Sequence, residues 1–333
     1  MEINMKKLMT IAVSLMLGAA LMTGCGAAKK APAETAPVTV HVAALKGPTA
    51  MGMVDFMDKS DRGELTDATY QFEIAAAADE VTPKLIQGQV DIAAVPANLA
   101  SVLYHNTDAG VQVLAVNTLG VIYIVESGDT VSSVNDLKGK TIYASGKGAT
   151  PEYALNYILE QNGIDPEKDL TIEWKSEHAE CLSALMAQEN AVAMLPQPFV
   201  TTAQTKSDKI RVALDLTEEW DRIGSDSALL TGVVVARKEF AEQHPAAVTA
   251  FLEHYEDSVV YVNENVEDAA ALIEAYDIVP AAVAVKAVPK CNIVFITGEE
   301  MKQKLSGYLK VLSEQNPKAI GGALPADDFY YGS

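Results

Sequence analysis

From Val38 onward, short runs of β-branched and apolar residues alternate with stretches whose apolar positions recur every three to four residues. The first pattern predicts strands over 38–45, 70–76 and 91–95, and the second predicts helices over 49–59, 79–87 and 97–105. Leu99, Val102 and Leu103 stand at i, i+3 and i+4 and give the last of these helices one apolar stripe. Two strands follow, 111–117 and 120–125, and the alternation then restarts with strands at 140–145, 170–175 and 191–195 and helices at 150–162, 178–188 and 197–205. Strand and helix in succession is the grammar of a parallel sheet with covering helices.

The second round matches the first at an offset of about 100 residues. Glu80 corresponds to Glu180, Leu85 to Leu185, Ala93 to Ala193 and Pro96 to Pro196, and Gly47 falls near Gly146. In an alanine-rich chain such identities count for less than the preserved order and spacing. The expected organisation is therefore two pseudo-equivalent α/β lobes. After a buried strand at 229–236 the pattern becomes mostly helical: 239–264 with a break near Pro245, then 266–276, 280–287 and 299–314. The apolar faces of these helices need a sheet to cover, so the tail is expected to return to the first lobe. Lobe one then comprises 38–118 plus 230–333 and lobe two 119–229, with crossovers near Asn117–Gly120 and Ser227–Gly232 forming a hinge.

The region before Val38 reads as an address. Lys6 and Lys7 precede the apolar run Leu8–Met22, which meets Thr23-Gly24-Cys25. A charged segment, a hydrophobic segment and small residues make residues 1–24 a signal peptide. The run is short for a hydrocarbon core of about 30 Å, which disfavours the competing reading as a membrane span. Residues 26–37, rich in Ala, Pro and Lys without periodicity, have the composition of a tether.

Composition narrows the function. The chain has 333 residues, 49% hydrophobic and 21% charged, which suits two globular domains. Its formal charge of −20 excludes a surface built to grip nucleic acid. Aromatic residues make up 6%, too few for a sugar cleft lined with stacking platforms. Of three cysteines, Cys25 lies in the leader, and a bridge between Cys181 and Cys291 would lock the hinge; free, buried thiols are expected. His178 and Cys181 have a spacing that suits a shared metal, but no second ligand pair accompanies them. No nucleophile elbow, zincin pair or dinucleotide fingerprint is present. Trp174 and Trp220 read as core or interlobe packing, with Trp220, beside the second crossover, the better reporter of lobe movement.

In an open α/β sheet, ligands bind beyond the carboxyl ends of the strands. This singles out the loops 46–51, 78–79 and 96–98 in lobe one, and 145–151, 176–178 and 196–198 in lobe two. Ser145-Gly146-Lys147-Gly148-Ala149-Thr150 has two readings. One is a small-anion cradle of converging N–H groups; the other is a tight turn in which Thr150 caps the helix that Pro151 begins. It is not a phosphate-binding P-loop, because Ala149 follows Gly148 where Lys is required.

Leu21-Met22-Thr23-Gly24-Cys25 resembles a bacterial lipobox, in which the cysteine is lipidated. With it come a Gly-Pro-Thr loop after the first strand, Asp91-Ile92-Ala93-Ala94-Val95-Pro96-Ala97-Asn98, and Leu195-Pro196-Gln197-Pro198-Phe199. Together these resemble ABC-transporter solute-binding lipoproteins, most of all the nitrate, taurine and aliphatic-sulfonate binding group with its thiamine-precursor relatives. The resemblance implies a bilobal type II clamshell and a non-catalytic protein without cofactor or metal. It implies capture of a small polar organic molecule or oxyanion, with a sulfonate- or nitrate-like class favoured. The expected partners are an ABC permease and its ATPase, and the expected state is a monomer held on the outer face of the membrane by Cys25. Carried over residue by residue, the ligand contacts are Thr49, Ala50, Asn98, Gly148, Ala149, Thr150 and Gln197. The cysteine-rich signature of the pyrimidine-binding relatives is missing, and no candidate loop contains an arginine. An enzyme on the same scaffold, of the menaquinone- or pyrimidine-pathway type, is the alternative; such enzymes are cytosolic, and an export leader argues against it. A ligand-sensing lipoprotein is the third reading.

Overall fold

The computed structural model describes residues 38–224 and 227–332. The signal peptide, Cys25 and the tether lie outside the described residues. Residues Pro37–Ser333 form one compact unit by themselves.

The chain opens with β1 (Val38–Leu45), the short helix α1 (Pro48–Met51), α2 (Val54–Asp61), β2 (Ala68–Ala75), α3 (Ala78–Ile86), β3 (Ile92–Pro96), α4 (Ala97–Asn106) and β4 (Val111–Leu119). It then crosses to β5 (Ile122–Ser127), β6 (Thr141–Ser145), α5 (Thr150–Gln161), β7 (Thr171–Lys175), α6 (His178–Ala187), β8 (Val192–Pro196), α7 (Phe199–Lys206), β9 (Ile210–Asp215) and α8 (Leu216–Arg222). It returns through β10 (Leu230–Arg237), followed by α9 (Lys238–Gln243), α10 (Pro245–Glu264), α11 (Val266–Ala275), α12 (Ala281–Ala287), β11 (Ile293–Ile296) and α13 (Gly298–Gln315).

Two sheets result, one ordered β11-β4-β10-β3-β1-β2 and the other β7-β6-β8-β5-β9. Each departs from the expected parallel sheet at the strand that has just crossed over. β10 runs antiparallel to β3 and β4, and β5 runs antiparallel to β8 and β9. β11 likewise runs antiparallel to β4, so lobe one closes its parallel core with two reversed strands and lobe two with one. The sequence pattern missed β9, α8 and β11. β9 and β11 are sheet edges, and β11 is only four residues long, so neither carries a full apolar run.

Both sheets are covered on two faces. In lobe one, Val81, Leu85, Leu103 and Leu309 pack on one face, while Phe56, Phe251, Tyr255 and Val262 pack on the other. In lobe two, Leu155, Ile158 and Trp220 continue the first of these cores, and Cys181, Leu185 and Val200 form a separate one behind the sheet. The core thus runs through both lobes, and α13 joins them. Tyr308 donates to Thr150 Oγ1 at 2.8 Å, Gln315 to the Tyr153 carbonyl at 3.0 Å and Asn316 to the Tyr153 hydroxyl at 3.3 Å. Trp220 is fully buried, against Tyr157 at 4.4 Å and Tyr308 at 5.9 Å between ring centroids, and its Nε1 donates to Ser227. No helix among the described residues is long and apolar enough to cross a membrane.

Candidate functional site

The strand ends of the two lobes face each other across a cleft. Its inner end is a cavity of about 170 Å³ lined by Pro96 and Thr231 from lobe one, Val121 and Ile122 from the first crossover, and Ser145, Ala149, Thr150, Pro151, His178, Met194 and Pro196 from lobe two. Toward solvent it continues into a wider space of about 890 Å³, where Lys46, Gly47, Ala77 and Ile278 face Ser176, Glu177, Phe199 and Thr202. Ser145 and His178 border both parts.

Ser145 ends β6 and His178 begins α6, so the fold brings together residues 33 apart in sequence. The Ser145 hydroxyl lies 2.5 Å from His178 Nδ1, and the imidazole packs on Phe199 at 5.1 Å between centroids. Burial pushes the His178 pKa below its ordinary value of 6.5, so the ring is neutral near pH 7. Burial pushes the neighbouring Cys181 thiol up, against a hydrogen bond from Ser145. Cys181 and Cys291 are both free and buried, and no group of three or more metal-ligating side chains occurs among the described residues.

The seven carried-over residues are placed differently from one another. Ala149 and Thr150 line the inner cavity. Thr150 does not cap its helix: the N-cap is Ala149, and the Thr150 hydroxyl accepts from Tyr308 and donates to Asn98 Oδ1 at 3.4 Å. Asn98, 8% exposed, spends its amide on the Ala319 carbonyl. The Thr49 hydroxyl donates to the Leu45 carbonyl, and Ala50 is fully buried. Gln197 is buried, accepts from Thr201, and leaves Nε2 without a partner. Gly148 lies on an outer groove beside α13, and its N–H donates to Glu152 at 2.5 Å. The glycine loop is therefore a turn closed by its own helix. Its positive φ values, 85° at Gly146 and 78° at Gly148, meet the needs of that turn.

Ser145, His178, Pro96 and Pro196 were inside the loops that the strand-end rule selected, yet none was a carried-over contact. Thr231, Ile122 and Met194 lay outside those loops. The available signal was position: a serine closing one strand and a histidine opening the helix after its neighbour must meet when the two strands pair in parallel.

The comparisons agree with this architecture. A family model described as ABC transporter, phosphonate, periplasmic substrate-binding protein matches residues 63–286, more than half of the chain. An ABC transporter structure from Parabacteroides distasonis is similar with a TM-score of 0.74 at 22% identity, covering 88% of this chain and 98% of the other. The periplasmic aliphatic sulphonate binding protein of Escherichia coli gives 0.69 at 18% identity, covering 86% and 96%. The periplasmic nitrate-binding protein of Synechocystis gives 0.60 at 14% identity, covering 87% and 83%. No curated protein matches the chain. With a two-lobed fold, a cleft at the strand ends and a family model spanning most of both lobes, the chain belongs to the periplasmic substrate-binding proteins of ABC transporters, extracytoplasmic components that bind a small polar molecule for import.

Proposed function

We propose that the inner cavity is the cargo site and that Ser145 and His178 hold the cargo's polar group. The observation that carries this reading is the composition of the cavity wall: both lobes and a crossover contribute to it, so a bound molecule stabilises one arrangement of the lobes over others. The hydroxyls of Thr150 and Thr231 already donate to Asn98 and to the Leu119 carbonyl, whereas His178 Nε2 has no protein partner among the described residues. Cargo held there shifts the lobe equilibrium toward the form presented to the permease, and the permease's ATPase drives release. Cys25 carries the lipid anchor, the chain acts as a monomer, and the tether lets it reach the permease. The family description and the relatives named above point to small organic acids and oxyanions as the first compounds to screen. The test is thermal shift of the compact unit against such a panel, with His178→Ala beside it. A saturable rise in melting temperature that disappears in His178→Ala supports the site; the same rise in the variant overturns it.

A further inference from the structure

The cleft of this chain is poor in everything a buried anion needs. The inner cavity has no charged side chain in its wall. In the outer cleft the one lysine, Lys46, is paired with Asp277 at 3.2 Å, and Glu177 opposes it from the other lobe. Backbone donors are withdrawn as well. Pro96, Pro151 and Pro196 have no N–H, and the Ala149 N–H goes to the Gly146 carbonyl. At two of the strand-to-helix loops of lobe two, Gly148 N–H is taken by Glu152 and Ser176 N–H by Glu180 at 2.9 Å. Each of these helices thus answers part of its own dipole with a carboxylate of its first turn.

Among the polar side chains of the inner wall, Thr150 and Thr231 already donate within the protein, and Ser145 and His178 form the pair left for a head group. If the Ser145 hydroxyl donates to Nδ1, the ring offers Nε2–H as donor and Ser145 Oγ as acceptor. If Nδ1–H donates to Ser145, the hydroxyl is the donor and Nε2 the acceptor. The pair thus presents an acceptor and, where the Ser145 proton is not given to Cys181, one donor, set among Val121, Ile122, Met194 and the three prolines. A sulfonate or phosphonate would bring a full negative charge to a wall that holds no cation, with Glu177 facing the outer cleft, leaving the charge desolvated and unpaired.

We infer that the cargo is an uncharged molecule with an apolar body and one head group that both donates and accepts a hydrogen bond, of the primary amide, sulfonamide or lactam type. This rests on the reading of the inner cavity as the cargo site. It sets this chain apart from the anion-binding proteins to which it is similar.

Isosteric pairs that differ in charge provide the test: butanamide against butanoate, and butanesulfonamide against butanesulfonate, with methylphosphonate as a further anion, titrated calorimetrically into residues 37–333. That segment contains all eleven strands and forms a compact unit alone. The expected result is that each neutral member binds at least about tenfold more tightly than its anion, and that Thr231→Lys, which puts an ammonium at the half-buried wall of the cavity, narrows or reverses that ratio. Tighter binding of any anion in the unmodified protein overturns the inference, as does failure of both neutral compounds to bind at about 10 mM. Cavity variants separate this failure from that of the site itself. If His178→Ala and Ile122→Trp leave binding of the neutral compounds unchanged, the cavity is not the cargo site. If they abolish binding while anions are preferred, the cavity stands and the inference about charge falls.

Discussion

In lobe one, Val42 lies opposite Phe72 and Ile92; in lobe two, Ile142 lies opposite Ile172 and Val192, each number higher by 100. The burial pattern along 91–100 is repeated residue for residue along 191–200. Against so close a frame, differences in side chain stand out. β1 ends in Leu45 where β6 ends in Ser145, and α3 begins with Ala78 where α6 begins with His178. Pro96 and Pro196, by contrast, are equivalent and both line the cavity. Lobe one adds only Pro96 and Thr231 to the cavity wall, while lobe two supplies most of it and the pair available to a polar head group. The shared frame sets two strand ends face to face, and the differences at positions 45/145 and 78/178 set the chemistry of one side.

The largest effect should come from erasing that asymmetry. Ser145→Ala with His178→Ala makes these positions of lobe two as apolar as those of lobe one. A bound head group then loses its partners in a dry cavity, at about 1–3 kcal/mol per group left unsatisfied. The expected outcome is a fall in affinity of at least about a hundredfold, measured by calorimetry, with the ligand-free melting temperature nearly unchanged because His178 is half-buried at the cleft surface. The reciprocal change Leu45→Ser should not create affinity, since lobe one has no imidazole opposite it.

At the far ends of the sheets, the strand that enters each lobe from a crossover, β10 or β5, is tied down by an ion pair. In lobe one, Asp91 accepts from Arg237 on β10 at 2.7 Å and from the His41 backbone at 3.0 Å. In lobe two the polarity is swapped: the carboxylate, Glu126, sits on the reversed strand β5 and Arg211 on β9 at 2.8 Å. Glu126 is fully buried and also accepts from the N–H groups of Thr130 and Val131. Burial alone would raise its pKa, but those hydrogen bonds and Arg211 outweigh it and hold the carboxyl below its ordinary value of 4.5. The folded-state pKa is thus the lower one. The pair therefore adds stability above the unfolded-state value, and loses it as pH falls through the folded-state value. Glu126→Gln should cost about 2–3 kcal/mol at pH 7, reduced from a fully buried pair because Arg211 is one-third exposed and also meets Asp129. Denaturant melts at pH 7 and near pH 4 check this: the difference between variant and parent should shrink at the lower pH.

Most of this frame was legible in the chain. Strand and helix spacing, the 100-residue offset and the strand-end rule located the cleft, because periodicity and register are written locally. The parts that were not legible depend on which of several partners each polar group takes, within a lobe or across the two. Thr150 has the sequence of a helix cap, yet Tyr308, 158 residues away, claims its hydroxyl. Gly148 has the sequence of an anion cradle, yet Glu152 fills it. Asn98 looks like a cleft residue, yet it is turned to the Ala319 carbonyl. For Thr150 and Asn98 the choice was made by a contact more than 150 residues away, and for Gly148 by a side chain of its own helix that competes with any outside anion; sequence spacing reports neither outcome.

A third test compares the two crossovers. A Cβ added at Gly120 would lie 2.1 Å from Thr217 Oγ1 and 2.9 Å from Leu229, and one added at Gly232 would lie 2.5 Å from Asn117 Oδ1 and 2.9 Å from Thr49. Both glycines are there for close approach, since neither has a positive φ. Gly120→Ala should cost about 1–2 kcal/mol in a denaturant melt, because the threonine hydroxyl it displaces has no partner to lose. Gly232→Ala should cost more, about 2–3 kcal/mol, since Asn117 is fully buried beside it.

The smallest effect belongs to one of the α13 contacts that link the lobes directly. Tyr308→Phe removes a hydroxyl that donates to Thr150 but leaves the ring among Trp220 and the α13 core. Thr150 keeps its bond to Asn98, so no donor is orphaned and the expected loss is about 1 kcal/mol. Because Trp220 packs on Tyr308 and reaches the second crossover through Ser227, its fluorescence reads the same contact without ligand. If the hydroxyl only adds stability, emission in Tyr308→Phe should match the parent while the melting temperature falls slightly. If it also holds the lobes in register, the spectrum should shift as well, and the ligand-free protein should then move toward the parent's spectrum when cargo is added, since cargo bridging the two lobes replaces the lost link.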